Sequence, residues 1–218
     1  MLAVIVTLME IADLKNRYTV KKFDNTKHVS DEHIELLIKT FHLAPSSLNI
    51  QAWKLVVVET NEMKEKLSVA GQQGNKHRIK NASHVFVFAR KRWVGPRYIA
   101  RIIRDTKLLE LSQESMGVKT WQLAWLLYGY FWTHGARFWI KQQLYIPLGM
   151  MLAVCAERGI GSSAMEGITI PKANKILGLE GYSTVFVLAI GYPHEDDMTN
   201  PSLLHKDRLP LNTLIERV

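Results

Sequence analysis

Apolar residues recur with the period of a helix in several segments of the chain. Between Ser30 and Pro45 they follow the i, i+3, i+4, i+7 spacing from Ile34, which predicts an amphipathic helix. Ser30 stands at its N-cap position and Pro45 helps to end it. Similar patterns predict helices over residues 9–16 and 61–70.

Three short runs are apolar without alternation and predict strands that are covered on both faces. They are residues 55–58, 84–89 and 183–190. The chain between the second and third runs is helical in pattern, and Pro147 predicts a kink in its last helix. Covered strands separated by helices predict a three-layer α/β or α+β core. The helices predicted in that region cover residues 96–111, 118–134 and 139–157.

Composition and charge limit the class of protein. The chain has 218 residues, of which 47% are hydrophobic and 22% charged, as in one globular domain. Its formal net charge of +8 indicates an anionic partner, either a phosphate-bearing small molecule, an anionic lipid or nucleic acid, or simply a solvated basic surface. The densest basic run is residues 90–92, which is too short for a nucleic-acid arm.

Several classes of site lack their usual signals. A single cysteine, Cys155, allows no intramolecular disulfide and favours a reducing cytoplasm. The eight histidines lack metal-ligand spacing, and the apolar run 121–132 is too short for a bilayer span, so we expect no metal site and no membrane segment. No G-x-G-x-x-G or P-loop occurs, and Ser162 is not in a G-x-S-x-G turn.

The loop over residues 44–53 is unusually polar for a connection between a helix and a strand. Ser46 and Ser47 supply hydroxyls, and Asn49 and Gln51 supply carboxamides. Such density predicts a surface that binds a ligand rich in hydrogen-bonding groups.

A basic cluster follows the first predicted helix. Arg17, Thr19 and Lys21 alternate, so an extended chain would point all three the same way. Two cations and a hydroxyl on one face suit a phosphate, although basic residues after a helix also complement its C-terminal dipole.

Three further segments carry candidate binding groups. Residues 74–78 place an amide and cations after a glycine break, where a solvated loop is the alternative. Residues 206–208 again alternate two cations. Residues 162–167 are small and end in Glu-Gly, so a ligand could approach main-chain N–H groups there, unless Glu166 is an ordinary surface acid.

Taken in order, these segments resemble motifs of the FMN-dependent nitroreductase family. The likeness is greatest to its bacterial oxygen-insensitive NAD(P)H nitroreductases and dihydropteridine reductases, and it extends from Met9 to Val218. Ala52 and Ala164 stand where that family commonly has proline. The matching elements are Arg17-x-Thr19-x-Lys21, Pro45-Ser46-Ser47-x-Asn49-x-Gln51-x-Trp53, Met165-Glu166-Gly167 and Lys206-x-Arg208-Leu209-Pro210.

The resemblance implies a fold and an assembly. It implies an α+β, three-layer α/β/α nitroreductase-like fold, with a mainly antiparallel central sheet flanked by helices. Residues 9–218 would form a single FMN-binding domain after a disordered N-terminal extension of residues 1–8. The protein would be a cytoplasmic homodimer with FMN at the subunit interface and exchanged C-terminal arms. No nucleic acid, membrane or metal partner is expected.

The resemblance also implies roles for individual residues. Lys21 would be a cation that tunes the flavin, and the backbone of Glu166 and Gly167 would donate to it, so no side-chain catalyst is required. Leu48 and Trp125 would contact substrate, with other aromatic residues of 118–134 covering the pocket. FMN would be held by Arg17, Tyr18, Thr19, Lys21, Asn75, Arg78, Glu166, Gly167, Lys206 and Arg208, and by Ser46, Ser47 and Asn49 of the other subunit.

The activity implied is FMN-dependent transfer of hydride. NADH or NADPH would be the donor, and a nitroaromatic, quinone or pteridine-type molecule the acceptor, in a ping-pong mechanism. The alternative is a flavin-binding protein without efficient reductase turnover, used for storage or sensing.

Overall fold

The computed structural model describes residues 11–105, 125, 136–204 and 206–218. These residues contain one four-stranded sheet in which every neighbouring pair of strands is antiparallel. The strand order is β1-β2-β4-β3, so β2 and β4 occupy the centre. The strands are β1 (Trp53–Val58), β2 (His84–Lys91), β3 (Gly161–Met165) and β4 (Tyr182–Gly191).

Helices surround this sheet, and a short 3-10 helix covers Ser47–Asn49. The α-helices in the described part of the chain are α1 (Ile11–Asn16), α2 (Asp31–His42), α3 (Asn61–Ser68), α4 (Asn75–Asn81), α5 (Pro96–Asp105), α6 (Ala136–Gln143), α7 (Tyr145–Glu157), α8 (Ile170–Ile176) and α9 (Leu211–Leu214).

Successive residues of β2 point to opposite faces of the sheet and enter two separate cores. Phe86 and Phe88 pack with apolar residues of α2 and α7 in one core. Val85 and Val87 pack with apolar residues of α3, α4 and α8 in the other. The sheet is therefore covered on both faces, which confirms the predicted three-layer α+β architecture.

The strands and helices with strong apolar patterns lie where they were predicted. The helix predicted between Ser30 and Pro45 is α2, although the Ser30 side chain forms no capping hydrogen bond. The predicted strands 55–58, 84–89 and 183–190 correspond to β1, β2 and β4.

Three local predictions were wrong or incomplete. The segment 161–165 is the edge strand β3, which its small residues did not indicate and which pairing with β4 imposes. Residues 75–81 form helix α4 where a loop was the alternative. The helix predicted over 139–157 is divided between α6 and α7, and Pro147 lies in the first turn of α7, where a missing N–H breaks no helical bond.

Other predictions fall partly outside the described residues. Residues 1–8 lie outside them, as does the helix predicted over 118–134 except for Trp125. The arm over residues 209–218 is described and exposed throughout. In the part of the chain that the structure describes, no helix is long and apolar enough to cross a membrane.

Lys64 is a charged residue at the centre of a helix contact. Only 2% of its surface is exposed, and its Nζ donates to the carbonyl oxygens of Ala82 at 2.7 Å and Ser83 at 3.0 Å. Burial lowers the pKa of Lys64. The side chain ties α3 to the start of β2.

Replacing Lys64 tests how much its two hydrogen bonds stabilise the fold. We expect Lys64→Ala to lower the free energy of unfolding by roughly 2–4 kcal/mol, because two buried carbonyls lose their donor and a cavity forms. Urea titration would measure the loss. Lys66→Ala, which removes an exposed partner of Glu62 on the same helix, should change stability little. Equal losses in both variants would contradict the account.

Candidate functional site

Cations that are distant in sequence converge on one cleft. Arg17 and Lys21 reach it from the segment after α1, and Lys206 and Arg208 reach it from the segment before α9. The cleft has a volume of 330 Å³. Its lining residues are Arg17, Tyr18, Thr19, Lys21, Thr199, Pro201, Leu204, Lys206, Asp207 and Arg208.

We call the cleft lined by these ten residues the basic cleft. Its N-terminal half is formed by an extended segment that lies beside β3. Thr19 forms a parallel bridge with Ser162, and the Val20 N–H donates to the Ser162 carbonyl at 3.0 Å. Val20 is fully buried, whereas Thr19 and Lys21 on either side line the cleft. The predicted alternation is therefore present from Thr19 to Lys21, whereas Tyr18, between Arg17 and Thr19, also lines the cleft.

Asp197 anchors this segment and was not predicted from the sequence. Its carboxylate is 2% exposed and accepts the backbone N–H groups of Lys21 at 2.9 Å and Lys22 at 3.4 Å. It also accepts from the Thr199 N–H at 3.1 Å and hydroxyl at 2.7 Å. An aspartate that accepts hydrogen bonds from the residue two positions later forms an Asx-turn. The sequence Asp-x-Thr is typical of that turn and could have identified Asp197.

Like charges crowd the basic cleft. Burial, and then the nearby Arg208, lower the pKa of Arg17. Burial, followed by Arg17 and Arg208, lowers the pKa of Lys206. This mutual repulsion would be relieved by an anion in the cleft, so the site suits a phosphate.

Lys206 has a second contact that sequence reasoning did not anticipate. Its Nζ donates to the Leu14 carbonyl in α1 at 2.6 Å. A lysine that caps the C-terminal carbonyls of a helix is favourable, and it fixes the C-terminal segment against α1. The contact holds the two halves of the basic cleft together.

A second polar group joins α4 to the turn after β3. The Asn75 Nδ2 donates to the Gly167 carbonyl at 2.9 Å, and an Arg78 terminal nitrogen donates to the Asn75 Oδ1 at 2.9 Å. A side chain at position 167 would place its Cβ 2.6 Å from the Asn75 Nδ2, so glycine is required for this approach.

Arg78 also links this group to the basic cleft. The pKa of Lys21 is lowered by burial and then by Arg78, while Asp197 acts in the opposite direction. The Arg78 Nε is buried and has no hydrogen-bond partner among the described residues. A buried donor without an acceptor is unfavourable, so this position fits a polar ligand.

The side chain of Glu166 is held by two residues that the sequence did not single out. Tyr145 on α7 donates its hydroxyl to one Glu166 oxygen, and the Lys141 Nζ lies 3.6 Å from the other. The Ile168 N–H donates to the Glu166 carbonyl at 2.7 Å and forms a tight turn around Gly167. The Glu-Gly turn is thus fixed through both side chain and backbone.

The polar loop over residues 44–53 is ordered by its own hydrogen bonds. Asn49 and Gln51 adopt left-handed conformations with φ of 50° and 43°, which stores backbone strain. The Gln51 N–H donates to the Ser46 Oγ at 3.1 Å, and the Ser47 N–H donates to the buried Gln143 at 2.7 Å. The Tyr98 hydroxyl holds the Gln51 carbonyl at 2.9 Å.

Within one described chain, this loop does not line the basic cleft. Its contribution to a partner's site therefore stays a prediction. Leu48 lies in the 3-10 helix of the loop, and Trp125 is 68% exposed. Trp125 is not among the residues that line the basic cleft.

The described ranges contain no group of three or more histidine, cysteine, aspartate and glutamate residues that could hold a metal ion. Cys155 is buried, and burial raises the pKa of its thiol to about 12, so it remains protonated at neutral pH. The chemistry of this region rests on cations, amides and backbone groups.

The fold is α+β and carries a cleft lined by cations, and the comparisons with known proteins specify the family. The sequence model of the nitroreductase family matches residues 14–192. The major NAD(P)H-flavin oxidoreductase of Aliivibrio fischeri is 35% identical over 202 residues, which cover 88% of this chain and 91% of the relative. The chain therefore belongs to the nitroreductase family.

Solved structures agree with this fold. A nitroreductase family protein from Streptococcus pneumoniae superposes with a TM-score of 0.78 at 22% identity, covering 95% of this chain and 99% of the other. A protein from Exiguobacterium sibiricum, assigned to the nitroreductases and solved in complex with FMN, has a TM-score of 0.73 at 19% identity, covering 97% and 99%.

The role of Asp197 predicts a pH-dependent stability. Burial acts to raise the pKa of this carboxyl, but hydrogen bonds from Thr199, Lys21 and Lys22 hold it below the ordinary value of 3.8. Its stabilisation is therefore complete above the unfolded pKa and lost as the pH falls through the lower folded pKa.

We expect Asp197→Asn to lower the free energy of unfolding by about 1–3 kcal/mol at pH 7, and the deficit to shrink as the pH falls below the ordinary carboxyl value of 3.8. Urea unfolding at pH 7 and over a series of acidic pH values would measure this. Asp196→Asn, at the exposed neighbour that pairs with Lys22, is the matched control and should change little. A deficit that persisted undiminished in acid would contradict the assignment.

Proposed function

We propose that this protein is a cytoplasmic, homodimeric FMN-dependent oxidoreductase that takes hydride from NAD(P)H. It passes the hydride to a nitroaromatic, quinone or pteridine-type acceptor by a ping-pong mechanism. The observation that carries the proposal is the convergence of Arg17, Lys21, Lys206 and Arg208 on one cleft in a chain of the nitroreductase family.

Each part of the proposed site has a separate task. Arg17, Lys206 and Arg208 bind the FMN phosphate, because bound anion relieves the repulsion among these cations. Thr19 and Tyr18 line the same cleft and bind the neighbouring part of the cofactor.

Asn75 and Arg78 form the polar group that would hold the ring end of the cofactor. Bound FMN supplies the carrier that accepts and returns the hydride. Asn75 and Arg78 bind the polar edge of the ring, and the buried Arg78 Nε gains an acceptor there. Lys21 supplies a cation, and Glu166 and Gly167 offer backbone N–H groups in a turn where the Glu166 side chain contacts Tyr145 and Lys141.

The homodimer accounts for two features that a single chain leaves unexplained. Ser46, Ser47 and Asn49 complete the flavin site of the partner from a loop that is already ordered. The C-terminal arm exposes Leu211, Ile215 and other apolar side chains, which would be covered by packing on the partner.

The decisive experiment is an absorbance spectrum of the purified protein. We expect a yellow protein whose flavin absorbance bleaches under anaerobic conditions on addition of NADH or NADPH and returns with a quinone. A colourless protein that does not take up added FMN would contradict the proposal. A yellow protein that neither nicotinamide bleaches would favour the alternative of flavin storage or sensing.

The basic cleft can be tested by a single substitution. We expect Arg208→Ala to lower FMN affinity by roughly tenfold to 100-fold, because one charge-assisted contact to phosphate is lost, while the far-UV circular dichroism is unchanged. Arg158→Ala, at an exposed arginine outside the cleft, is the control. Equal FMN occupancy in the two variants would show that the C-terminal cations do not contribute to FMN binding.

The proposed arm exchange predicts an effect on assembly. Leu211→Asp with Ile215→Asp should shift the protein from dimer to monomer and reduce bound flavin together, since two charges would enter an apolar contact. Sedimentation velocity would measure the shift. Val69→Asp, at an exposed apolar residue after α3, is the control. A variant that stayed fully dimeric would contradict the role of the arm.

A further inference from the structure

A second cluster of cations lies at the end of the sheet where β2 ends and β4 begins. The Lys91 Nζ lies 4.9 Å from the Tyr98 ring centre and 4.8 Å from that of Tyr182. Lys54 lies over the same Tyr182 ring at 4.5 Å, and Arg101 lies over Tyr98 at 5.3 Å. We call Lys54, Lys91 and Arg101 the rim cluster.

The rim cluster holds like charges close together. Among the described residues, no aspartate or glutamate forms an ion pair with any of the three. Burial, and then Arg101 and Lys54, lower the pKa of Lys91, so the three cations repel one another. Contact with the aromatic faces of Tyr98 and Tyr182 favours cations at these positions. An anion bound among the three cations would reduce their mutual repulsion.

The fold connects the rim cluster to the polar loop over residues 44–53. The Lys91 N–H donates to the Ala52 carbonyl at 2.9 Å. The hydroxyl of Tyr98, whose ring lies beneath Lys91 and Arg101, donates to the carbonyl oxygens of Ile50 at 3.1 Å and Gln51 at 2.9 Å. An anion on the rim cluster would therefore lie beside the loop that completes the flavin site in the proposed dimer.

We propose that Lys54, Lys91 and Arg101 bind the phosphate groups of NAD(P)H at the rim of the flavin site. This inference rests on the proposed function. None of the three residues lines the basic cleft, so the rim cluster is a second anion site rather than part of the FMN phosphate site. In the proposed reaction the nicotinamide dinucleotide is the remaining polyanion.

The sequence explains why side chains, rather than backbone N–H groups, would bind the phosphates of NAD(P)H. The chain lacks the glycine-rich turn that cradles a dinucleotide pyrophosphate with backbone N–H groups. Phosphate recognition must then come from lysine and arginine side chains. Lys54 and Arg101 are exposed and Lys91 is half-buried. Solvated cations give modest, salt-sensitive affinity, which suits a co-substrate that must leave after each half-reaction.

The test is a comparison of KM values in the flavin-loaded protein. We expect Lys54→Gln with Lys91→Gln to raise the KM for NADPH about tenfold and to weaken its dependence on salt, because two phosphate contacts are lost. The kcat, the flavin content and the KM for an uncharged quinone should stay unchanged. If the KM for NADH rises equally, the rim cluster binds the pyrophosphate. If only the KM for NADPH rises, the rim cluster binds the 2′-phosphate.

A binding measurement without turnover provides a second readout. Isothermal titration of adenosine 2′,5′-bisphosphate should show binding to the parent protein and about tenfold weaker binding to the double variant. Lys66→Gln with Lys80→Gln, at two exposed lysines that pair with Glu62 and Glu65, is the matched control. The inference would be overturned if the rim variant kept its KM and its binding, or if the control variant changed equally. Bleaching of the flavin by NAD(P)H would in that case still support the proposed function.

Discussion

The contact on which the basic cleft depends is the buried carboxylate of Asp197. It accepts the backbone N–H groups of Lys21 and Lys22, and thereby fixes an extended segment that would otherwise be a connector between α1 and α2. The same carboxylate binds Thr199, and so joins the C-terminal segment to the N-terminal one. Cations from both ends of the chain can face each other because this one acid holds the backbone between them.

The rest of the site follows from the sheet. β3 lies at the sheet edge beside β4, and its Ser162 pairs with the segment that carries Thr19. The turn after β3 then brings Gly167 against Asn75 at the start of α4. One edge strand therefore positions both the phosphate end and the ring end of the proposed cofactor site. Among the described residues, two of the three non-glycine residues with positive φ lie in the loop over residues 44–53, and the third is Gln73, just before α4.

Patterns of sequence predicted the parts of the fold in which local and tertiary preferences agree. Helix α2 and strands β2 and β4 have strong apolar patterns and appear as predicted. Strand β3 was missed because the sequence Gly-Ser-Ser-Ala-Met has little strand propensity, and its pairing with β4 decides its conformation. The two halves of the helix predicted over 139–157 were joined because apolar residues continue at helical spacing across Leu144, where the chain turns between the two helices.

The candidate site also contains some residues that the sequence predicted and others that it did not. The alternation of Arg17, Thr19 and Lys21 was visible, because a short extended segment has a fixed period. Asp197 and Tyr145 were not found, since each acts through a contact with a residue far away in sequence. The position of the polar loop in a second subunit could be stated only through the family resemblance, because one chain does not contain the partner surface.

The central claim is that the basic cleft binds the phosphate of FMN as a dianion. Phosphorus NMR of the flavin-loaded protein tests it most directly. Clustered cations favour the dianion, so the account predicts a bound phosphate resonance that does not titrate between about pH 5 and 8, whereas an unprotected phosphate monoester titrates near a pKa of about 6. A bound resonance that titrated like free FMN would contradict the claim.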